Sequence, residues 1–362
     1  MSLEQGRARL GAADGAALLY LLALAIVLVQ GLGLAGRGGG AIIGDFTVFW
    51  TAGHAAATGD ALAVYDARWF LDLAGRLMGR PVPDGLVWRN PPSFLFVVRP
   101  FALLPYGWAW LAWILASAAG FIVAVRCVTA DWRIVLLALL APASLFCAIL
   151  GQNGFLTAML AGLAMCWIDR RPVAAGLCLA LLTYKPQFGA VLPLLLLLSR
   201  RWSTFAAAGI GTVALLALTE WRFGPGIWLA FLASLSDGVA TLSGEGGTTF
   251  YYHAIQTALR SAGAPAALAW GGHGVVAIAA FAIAARFWWR GPAADEDLRA
   301  VATFGAMMLV TPYVLIYDQV LLGMAVAFLA RAARRGGGWL PGEAPLAVAA
   351  CLLPGLALLA KA

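Results

Sequence analysis

Long apolar stretches follow one another along the whole chain. Runs of about 15 to 22 apolar residues recur, and a membrane-spanning helix needs about 20. We therefore expect an all-α polytopic membrane protein with about 10 to 12 transmembrane helices, forming a single domain over residues 1–362. The first run, 16–35, is predicted to be an uncleaved helix rather than a signal peptide, because so many further runs follow it.

The composition supports this prediction. Hydrophobic residues make up 62% of the chain and charged residues only 11%, whereas soluble domains carry about 25% charged residues. The net charge of +7 comes from arginines grouped in short loops, and it does not indicate a nucleic-acid partner. The five cysteines lie in or beside apolar runs without metal-ligand spacing, so neither a metal site nor a disulfide framework is predicted.

The arginine clusters indicate the orientation in the membrane. Short loops rich in Arg face the cytoplasm, and such clusters occur at 7–9, 126–133, 170–171, 200–201, 286–299 and 331–335. The connections between them carry few cations per residue and are predicted to face outward. These are the first loop, 36–92, the turn at 151–153, a second loop, 220–262, and the segment 311–318.

The first outward loop is predicted to be folded and to lie on the membrane. Its five Arg balance five Asp, so it is neither apolar enough to cross nor charged enough to be disordered. Phe46, Phe49 and Trp50 favour a helix lying in the interface. A second amphipathic helix is expected at 67–77.

Two stretches predict irregular helices. Residues 90–126 are too long for one span and short for two, so we expect a short helix followed by a full span. Residues 172–199 lie between two Arg pairs and predict two half-length helices that meet at Lys185-Pro186. Broken helices are tolerated in membranes where they line a cavity.

Asp45 is the first candidate for chemistry, because ionisable groups near a membrane are costly and often functional. It follows Gly44 and opens the stretch that continues to Trp50. Its carboxylate is either the N-cap of a helix or a free catalytic group. The two roles are compatible only if one carboxylate oxygen stays free.

Two cations outside the Arg clusters are candidates for phosphate binding. Arg89 precedes Pro91-Pro92 at the predicted outer membrane edge and has the planar fork that pairs with phosphate. Alternatively, it extends towards lipid headgroups. Lys185, one of only two lysines, either holds a phosphate as a compact charge, pairs with a carboxylate such as Asp318, or extends to the interface.

Polar residues at the predicted outward turns are candidates for substrate binding. Gln152 and Asn153 would hydrogen-bond a sugar or phosphate, or they would only form a turn. Tyr317 and Asp318 place a second carboxylate at the outer end of a span. His253 follows two tyrosines and would bind a polar ligand, unless the three belong to an aromatic belt.

At these residues the chain resembles the family 87 glycosyltransferases, which are polyprenyl-phosphate-mannose-dependent α-1,2-mannosyltransferase-like proteins of the GT-C superfamily. The matching features follow one another over most of the chain. They are Gly44-Asp45-Phe46 with Trp50 and Ala52, Gly59 and Tyr65, Asn90-Pro91-Pro92, Arg99-Pro100, Leu104-Pro105, Gly151-Gln152-Asn153, Ala175-Gly176 with Lys185-Pro186, Arg200-Arg201-Trp202, and Thr311-Pro312.

The resemblance implies a GT-C fold and transfer of a hexose, with mannose as the default. The donor would be a polyprenyl-phosphate sugar in the membrane, the acceptor a glycolipid or another glycan, and no cofactor would be needed. An aspartate in the first outward loop serves the family as catalytic base, a role that falls to Asp45. The site would face the outside of a bacterial inner membrane.

The residues are consistent with such chemistry. An unpaired carboxylate within about 3 Å of a sugar hydroxyl takes its proton during attack, while Arg89 and Lys185 would stabilise the departing phosphate. A single displacement inverts the anomeric centre and needs only one base. The alternatives are a transporter or flippase of a lipid-linked or anionic solute, although no matching halves are found, and an inactive membrane scaffold.

Overall fold

The computed structural model describes residues 44–243, 253–290 and 295–359. The predicted first helix at 16–35 and the beginning of the first loop lie outside these residues. The described part is helical and contains no strand, so the predicted all-α polytopic membrane fold is confirmed. Its α-helices are α1 (Phe46–Thr58), α2 (Ala67–Met78), α3 (Leu95–Val98), α4 (Tyr106–Val128), α5 (Trp132–Leu140), α6 (Pro142–Leu150), α7 (Gly154–Trp167), α8 (Pro172–Leu181), α9 (Pro186–Gly189), α10 (Val191–Leu198), α11 (Trp202–Phe223), α12 (Ile227–Ser243), α13 (Ile255–Ser261), α14 (Ala266–Trp289), α15 (Glu296–Val310), α16 (Val320–Arg335) and α17 (Glu343–Leu359).

Prolines and capping side chains set where several helices begin. Pro142 and Pro186 occupy the first positions of α6 and α9, where the fixed φ and the missing N–H of proline cost nothing. Asp66 accepts hydrogen bonds from the backbone N–H groups of Arg68 and Trp69 and thereby caps α2. These local signals divide the long apolar runs into shorter helices.

Fewer full-length spans are present than the apolar runs predict. In the described residues four helices are long and apolar enough to cross a membrane: 106–128, 202–223, 266–289 and 316–335. The pair α5 and α6, bent by 55°, is a fifth candidate. Five shorter apolar helices occupy other apolar runs. The predicted 10 to 12 crossings are therefore not found as full-length helices in this part of the chain, because hydropathy alone does not register where proline and glycine interrupt a run.

The two irregular stretches fold as predicted. Pro92–Leu103 is a short apolar helix that precedes the span of α4. The stretch Pro172–Tyr184 leads to Lys185, and Pro186–Leu198 leads away from it. Each of these halves is about 20 Å long at 1.5 Å per residue, which is less than the hydrocarbon thickness of about 30 Å. The Arg pairs at 170–171 and 200–201 lie at the outer ends of the two halves, and Lys185 lies between the halves.

Helix α1 forms where predicted but is packed inside the protein. Phe46, Phe49 and Trp50 are all less than 10% exposed, and the ring of Phe49 lies edge-on against Phe94. A Cβ at Gly53 would come within 2.7 Å of the Val98 carbonyl oxygen, so glycine permits this close approach. The aromatic residues that favoured an interfacial helix are therefore core residues that contact other protein side chains, and the position of α1 relative to a membrane stays a prediction.

Helix α2 is amphipathic, as predicted. Phe70 and Ala74 are buried, while Arg68, Asp72 and Arg76 on the other side are exposed. Asp72 and Arg76 form an ion pair with a distance of 2.9 Å. Its position relative to a membrane surface stays a prediction.

Those arginine clusters predicted to face the cytoplasm that fall within the described residues are joined to one another by ion pairs. Each pair connects loops that are distant in sequence, so these loops lie at the same end of the molecule. The pairs are Asp169 with Arg201 and Arg299, Asp131 with Arg334, Asp297 with Arg331, and Glu296 with Arg335. Most of the candidate site residues contact one another at a different place, around the turn at 151–154.

Candidate active site

The turn at 151–154 forms the centre of the candidate site. Helix α6 ends at Gly151, whose φ of 69° suits glycine. A Cβ at Gly151 would overlap the side chain of Phe46, and the indole of Trp113 donates a hydrogen bond of 3.0 Å to the Gly151 carbonyl oxygen. The turn is therefore packed directly against the residue that follows Asp45.

Asp45 is held by this turn and not by its own helix. The side-chain amide of Gln152 donates a hydrogen bond of 2.8 Å to Oδ2 of Asp45. Asp45 makes no side-chain capping bond to α1, and no ion pair joins it to any described residue. Burial raises the pKa of Asp45 above its ordinary value, and the hydrogen bond from Gln152 opposes this. One neutral amide is thus the described partner of this carboxylate.

The other side of the turn contacts the segment that contains Tyr317. A Cβ at Gly154 would overlap the carbonyl oxygen of Tyr317, so these backbones are in close contact. The hydroxyl groups of Thr157 and Tyr184 lie 2.6 Å apart, and that of Tyr184 donates to the Asn153 carbonyl oxygen at 3.3 Å. The turn thereby connects the surroundings of Asp45 with those of Lys185.

Lys185 and Asp318 form a buried ion pair. The distance from Nζ to Oδ1 is 2.5 Å, with the side chains 8% and 0% exposed. The second carboxylate oxygen of Asp318 accepts a hydrogen bond of 3.0 Å from the backbone N–H of Leu315. The rings of Phe188 and Tyr317 lie 5.7 and 5.3 Å from the ammonium group. Of the alternatives for Lys185, pairing with Asp318 is the one observed, and phosphate binding stays a prediction.

His253 lies beside the same segment. Its backbone N–H donates to the Val314 carbonyl oxygen at 2.7 Å, and the amide nitrogen of Gln319 lies 2.7 Å from its Nδ1. An amide nitrogen is only a donor, so Nδ1 accepts in this arrangement. His253 is therefore brought next to the residue that follows Asp318, and its role in substrate binding stays a prediction.

Arg89 is placed apart from these contacts. It is exposed and follows Trp88, which is buried and stacks on Phe94. The next residue, Asn90, accepts a hydrogen bond of 2.9 Å at its carbonyl oxygen from the hydroxyl of Tyr65. No ion pair or hydrogen bond joins the Arg89 side chain to another described residue. Its backbone is fixed while its guanidinium group faces outward from the protein core.

Some polar neighbours of Asp45 were missed from the sequence. The hydroxyl groups of Thr47 and Tyr106 lie 3.1 Å apart, and Thr47 is two residues from Asp45. Tyr106 is a polar residue at the beginning of a predicted span, directly after a proline, and this position was the sequence signal that could have identified it.

The described ranges contain no candidate metal centre. No three His, Cys, Asp or Glu side chains lie together there as a metal centre requires. The donor set at Asp45, one carboxylate with one amide, is suited to hydrogen bonding. The prediction that no cofactor is needed stays a prediction.

Comparison with protein families gives a match over most of the chain. The model of glycosyltransferase family 87 matches residues 88–312, which is more than half of the 362 residues. The matched range contains Arg89, the turn at 151–154, Lys185 and His253, and it leaves out Asp45 and residues 317–318. No curated protein and no solved structure matches the chain.

Proposed function

This chain belongs to glycosyltransferase family 87 and is a membrane glycosyltransferase, and from that premise we propose its substrates and its catalytic base. The donor is a polyprenyl-phosphate hexose, with mannose as the default of the resemblance. The acceptor is a lipid-linked sugar or another glycan. Transfer occurs with inversion on the outer face of a bacterial inner membrane.

The contact between Asp45 and Gln152 carries this proposal. A sugar hydroxyl is a poor nucleophile, so a nearby base must remove its proton as the new bond forms. Asp45 has one oxygen bound by Gln152, while Oδ1 has no hydrogen-bond partner among the described residues. The carboxylate is oriented without being neutralised by a cation, which suits a base.

The reaction balances with one base. The acceptor oxygen attacks the anomeric carbon, the bond from that carbon to the phosphate oxygen breaks, and Asp45 takes the hydroxyl proton. The polyprenyl phosphate leaves with the electron pair of the broken bond. A single displacement of this kind inverts the anomeric centre, because attack and departure occur on opposite faces of the sugar.

The departing phosphate gains negative charge, which a cation at the site stabilises. Arg89 is exposed and makes no ion pair with a described residue. The charge of Lys185 is already matched by Asp318. We therefore place Arg89 first as the phosphate ligand. Lys185 is the second candidate for this role, and the double variant Lys185→Met with Asp318→Asn tests it.

The donor is tested with purified protein and a panel of polyprenyl-phosphate sugars, together with a bacterial membrane extract as the source of acceptor. We expect release of polyprenyl phosphate with one sugar and little release with the others. If no polyprenyl phosphate is released from any of these donors, yet sugar is transferred from a nucleotide sugar, the proposal of a lipid-phosphate donor is wrong. A transporter of lipid-linked solutes is not favoured by the family match.

Replacing Gln152 by leucine should shift the pH dependence of transfer. Burial already raises the pKa of Asp45, and the bond from Gln152 opposes this rise. Without that bond the pKa of Asp45 rises further. Protonation of Asp45, which inactivates it as a base, then occurs at a higher pH than in the unaltered protein. In a profile of transfer rate against pH, the decrease on the acid side should therefore begin at a higher pH. Gln256→Leu serves as the control, because Gln256 binds the Pro312 carbonyl oxygen instead; an equal shift there would refute the assignment.

Replacing Arg89 by alanine should weaken donor binding. Loss of a charge-assisted hydrogen bond to phosphate corresponds to about a tenfold higher KM for the donor. The fold should be unaffected, since the side chain is exposed. Arg68→Ala removes another exposed arginine of the same loop and should leave this KM unchanged. An unaltered KM in Arg89→Ala would exclude Arg89 as a phosphate ligand.

A further inference from the structure

Two arginines share one carboxylate at the end of the molecule that carries the arginine clusters. Asp169, between α7 and α8, forms ion pairs with Arg201 and with Arg299. The side chains of the two arginines are only 16% and 4% exposed. Two largely buried positive charges therefore face one negative charge, and an unmatched charge removed from water is costly.

The surroundings of Asp169 do not supply the missing negative charge. The ring of Trp288 lies 5.6 Å from both guanidinium groups. The Nε atom of Arg201 is buried and has no hydrogen-bond acceptor among the described residues. Burial lowers the pKa of Arg299, the charges of Asp169 and Glu296 oppose this, and the charge of Arg201 lowers it again. Glu296 is itself paired with Arg335, so Asp169 is the one described carboxylate that forms an ion pair with Arg201 or Arg299. Positive charge is thus in excess at this position.

Further cations lie close to these residues in the sequence. Those that are exposed and form no ion pair with a described residue are Arg170, Arg171, Arg200 and Arg290. A neighbouring cluster differs in this respect, because Arg331 and Arg335 face two carboxylates, Glu296 and Asp297. The excess of positive charge is therefore local to Asp169 and is not shared by every cluster at this end.

Two exposed tryptophans place this cluster at the level of the lipid headgroups. Trp202 is the first residue of α11 and Trp289 the last of α14, and they are 59% and 73% exposed. Both helices are candidate membrane spans. Exposed tryptophans at the ends of spans prefer the interface between membrane and water. A ligand that diffuses in the membrane reaches the cluster from the side.

We propose that the cluster around Asp169 binds the phosphate of an anionic phospholipid, which supplies the missing negative charge. Guanidinium groups pair with phosphate through two parallel hydrogen bonds, and anionic lipids concentrate near basic segments at the cytoplasmic surface. The lipid is separate from the donor, because the Arg pairs at 170–171 and 200–201 lie at the far ends of the broken helix from Lys185. The bound lipid stabilises the folded protein in its membrane and takes no part in sugar transfer.

The proposal is tested by the lipid that the purified protein retains. Protein is exchanged into micelles with equal amounts of phosphatidylglycerol and phosphatidylcholine, and bound lipid is measured by native mass spectrometry. We expect phosphatidylglycerol to be retained about tenfold more than phosphatidylcholine. Arg201→Gln should abolish this preference, because it leaves Asp169 and Arg299 as a one-to-one pair.

A second variant keeps the test valid if Arg201→Gln does not fold. Arg200→Glu changes an exposed residue and introduces a carboxylate beside the cluster, so it should also remove the preference. Arg133→Glu makes the same change of charge at an exposed position and should retain the preference. Equal loss in both Glu variants, or no preference in the unaltered protein, would overturn the proposal. So would equal stabilisation against heat by inorganic phosphate and by phosphatidylglycerol, since the site would then bind soluble anions.

Discussion

Replacing Asp45 by asparagine is expected to lower the rate of sugar transfer by about 10²–10⁴-fold, the contribution of a general base. Asparagine has nearly the same shape and can still bind Gln152 through its amide oxygen, but it cannot take a proton from the acceptor. Because Asp45 forms no ion pair with a described residue, the variant should remain folded. Transfer is followed as release of polyprenyl phosphate from the active donor, and folding as the Tm of the purified protein.

The same experiment has a pH component. The base acts as a carboxylate, and burial raises the pKa of Asp45, so the activity of the unaltered protein should fall as the pH is lowered through this raised pKa. The small remaining activity of Asp45→Asn should lack that decrease. Asp84→Asn, at an exposed position of the same loop, is the matched control. Full activity in Asp45→Asn, or an equal loss in Asp84→Asn, would remove Asp45 as the base.

Replacing Lys185 by methionine should reduce the free energy of unfolding by about 3–5 kcal/mol, the usual cost of breaking a buried ion pair on one side. The reason is that Asp318, only 1% exposed, would remain charged without its partner. Thermal unfolding in detergent measures the change. Arg76→Met provides the comparison, because its pair with Asp72 is more than 60% exposed on both sides and should contribute less than about 1 kcal/mol.

The paired replacement Lys185→Met with Asp318→Asn should recover most of this loss. It removes both charges, and the asparagine oxygen still accepts the hydrogen bond from Leu315 that Asp318 accepts now. If the double variant is no more stable than Lys185→Met, the ion pair does not account for the stability. The pair would then have to be assigned another role.

The double variant also separates the two roles of Lys185. If Lys185 has only a structural role, we expect the double variant to be stable and its KM for the donor to be unchanged. If Lys185 also binds the donor phosphate, we expect the double variant to be stable but its KM for the donor to be raised. The measured KM therefore decides between these roles without depending on the stability of a single variant.

Several elements were predictable because their causes are local. The segments Pro172–Tyr184 and Pro186–Leu198 are separated at Lys185, since proline cannot continue a helix and Arg pairs mark both outer ends. Helix α2 follows from its alternating apolar and charged residues, and Asp66 caps it. The number of full-length crossings was not predictable in this way, because an apolar run has the same hydropathy whether it forms one helix or two short ones.

The candidate site was predictable only in part. Asp45 was identified by its type, its position and a family resemblance. Its partner Gln152 is 107 residues away in sequence, and no local pattern connects the two. Pairing of Lys185 with Asp318 was one of three alternatives, because a cation inside a membrane needs an anion but the sequence does not specify which anion.

The sequence by itself determined the class of the protein: apolar runs require a membrane, arginine clusters divide the loops into two sets, and the ordered motifs indicate the family. These properties depend on the composition of short segments and are independent of how the segments pack. Tertiary structure alone decided that α1 is buried, that Gln152 binds Asp45, and that Asp169 is shared by two arginines. Each of these depends on distances between segments far apart in sequence, and such distances exist only once the helices are packed.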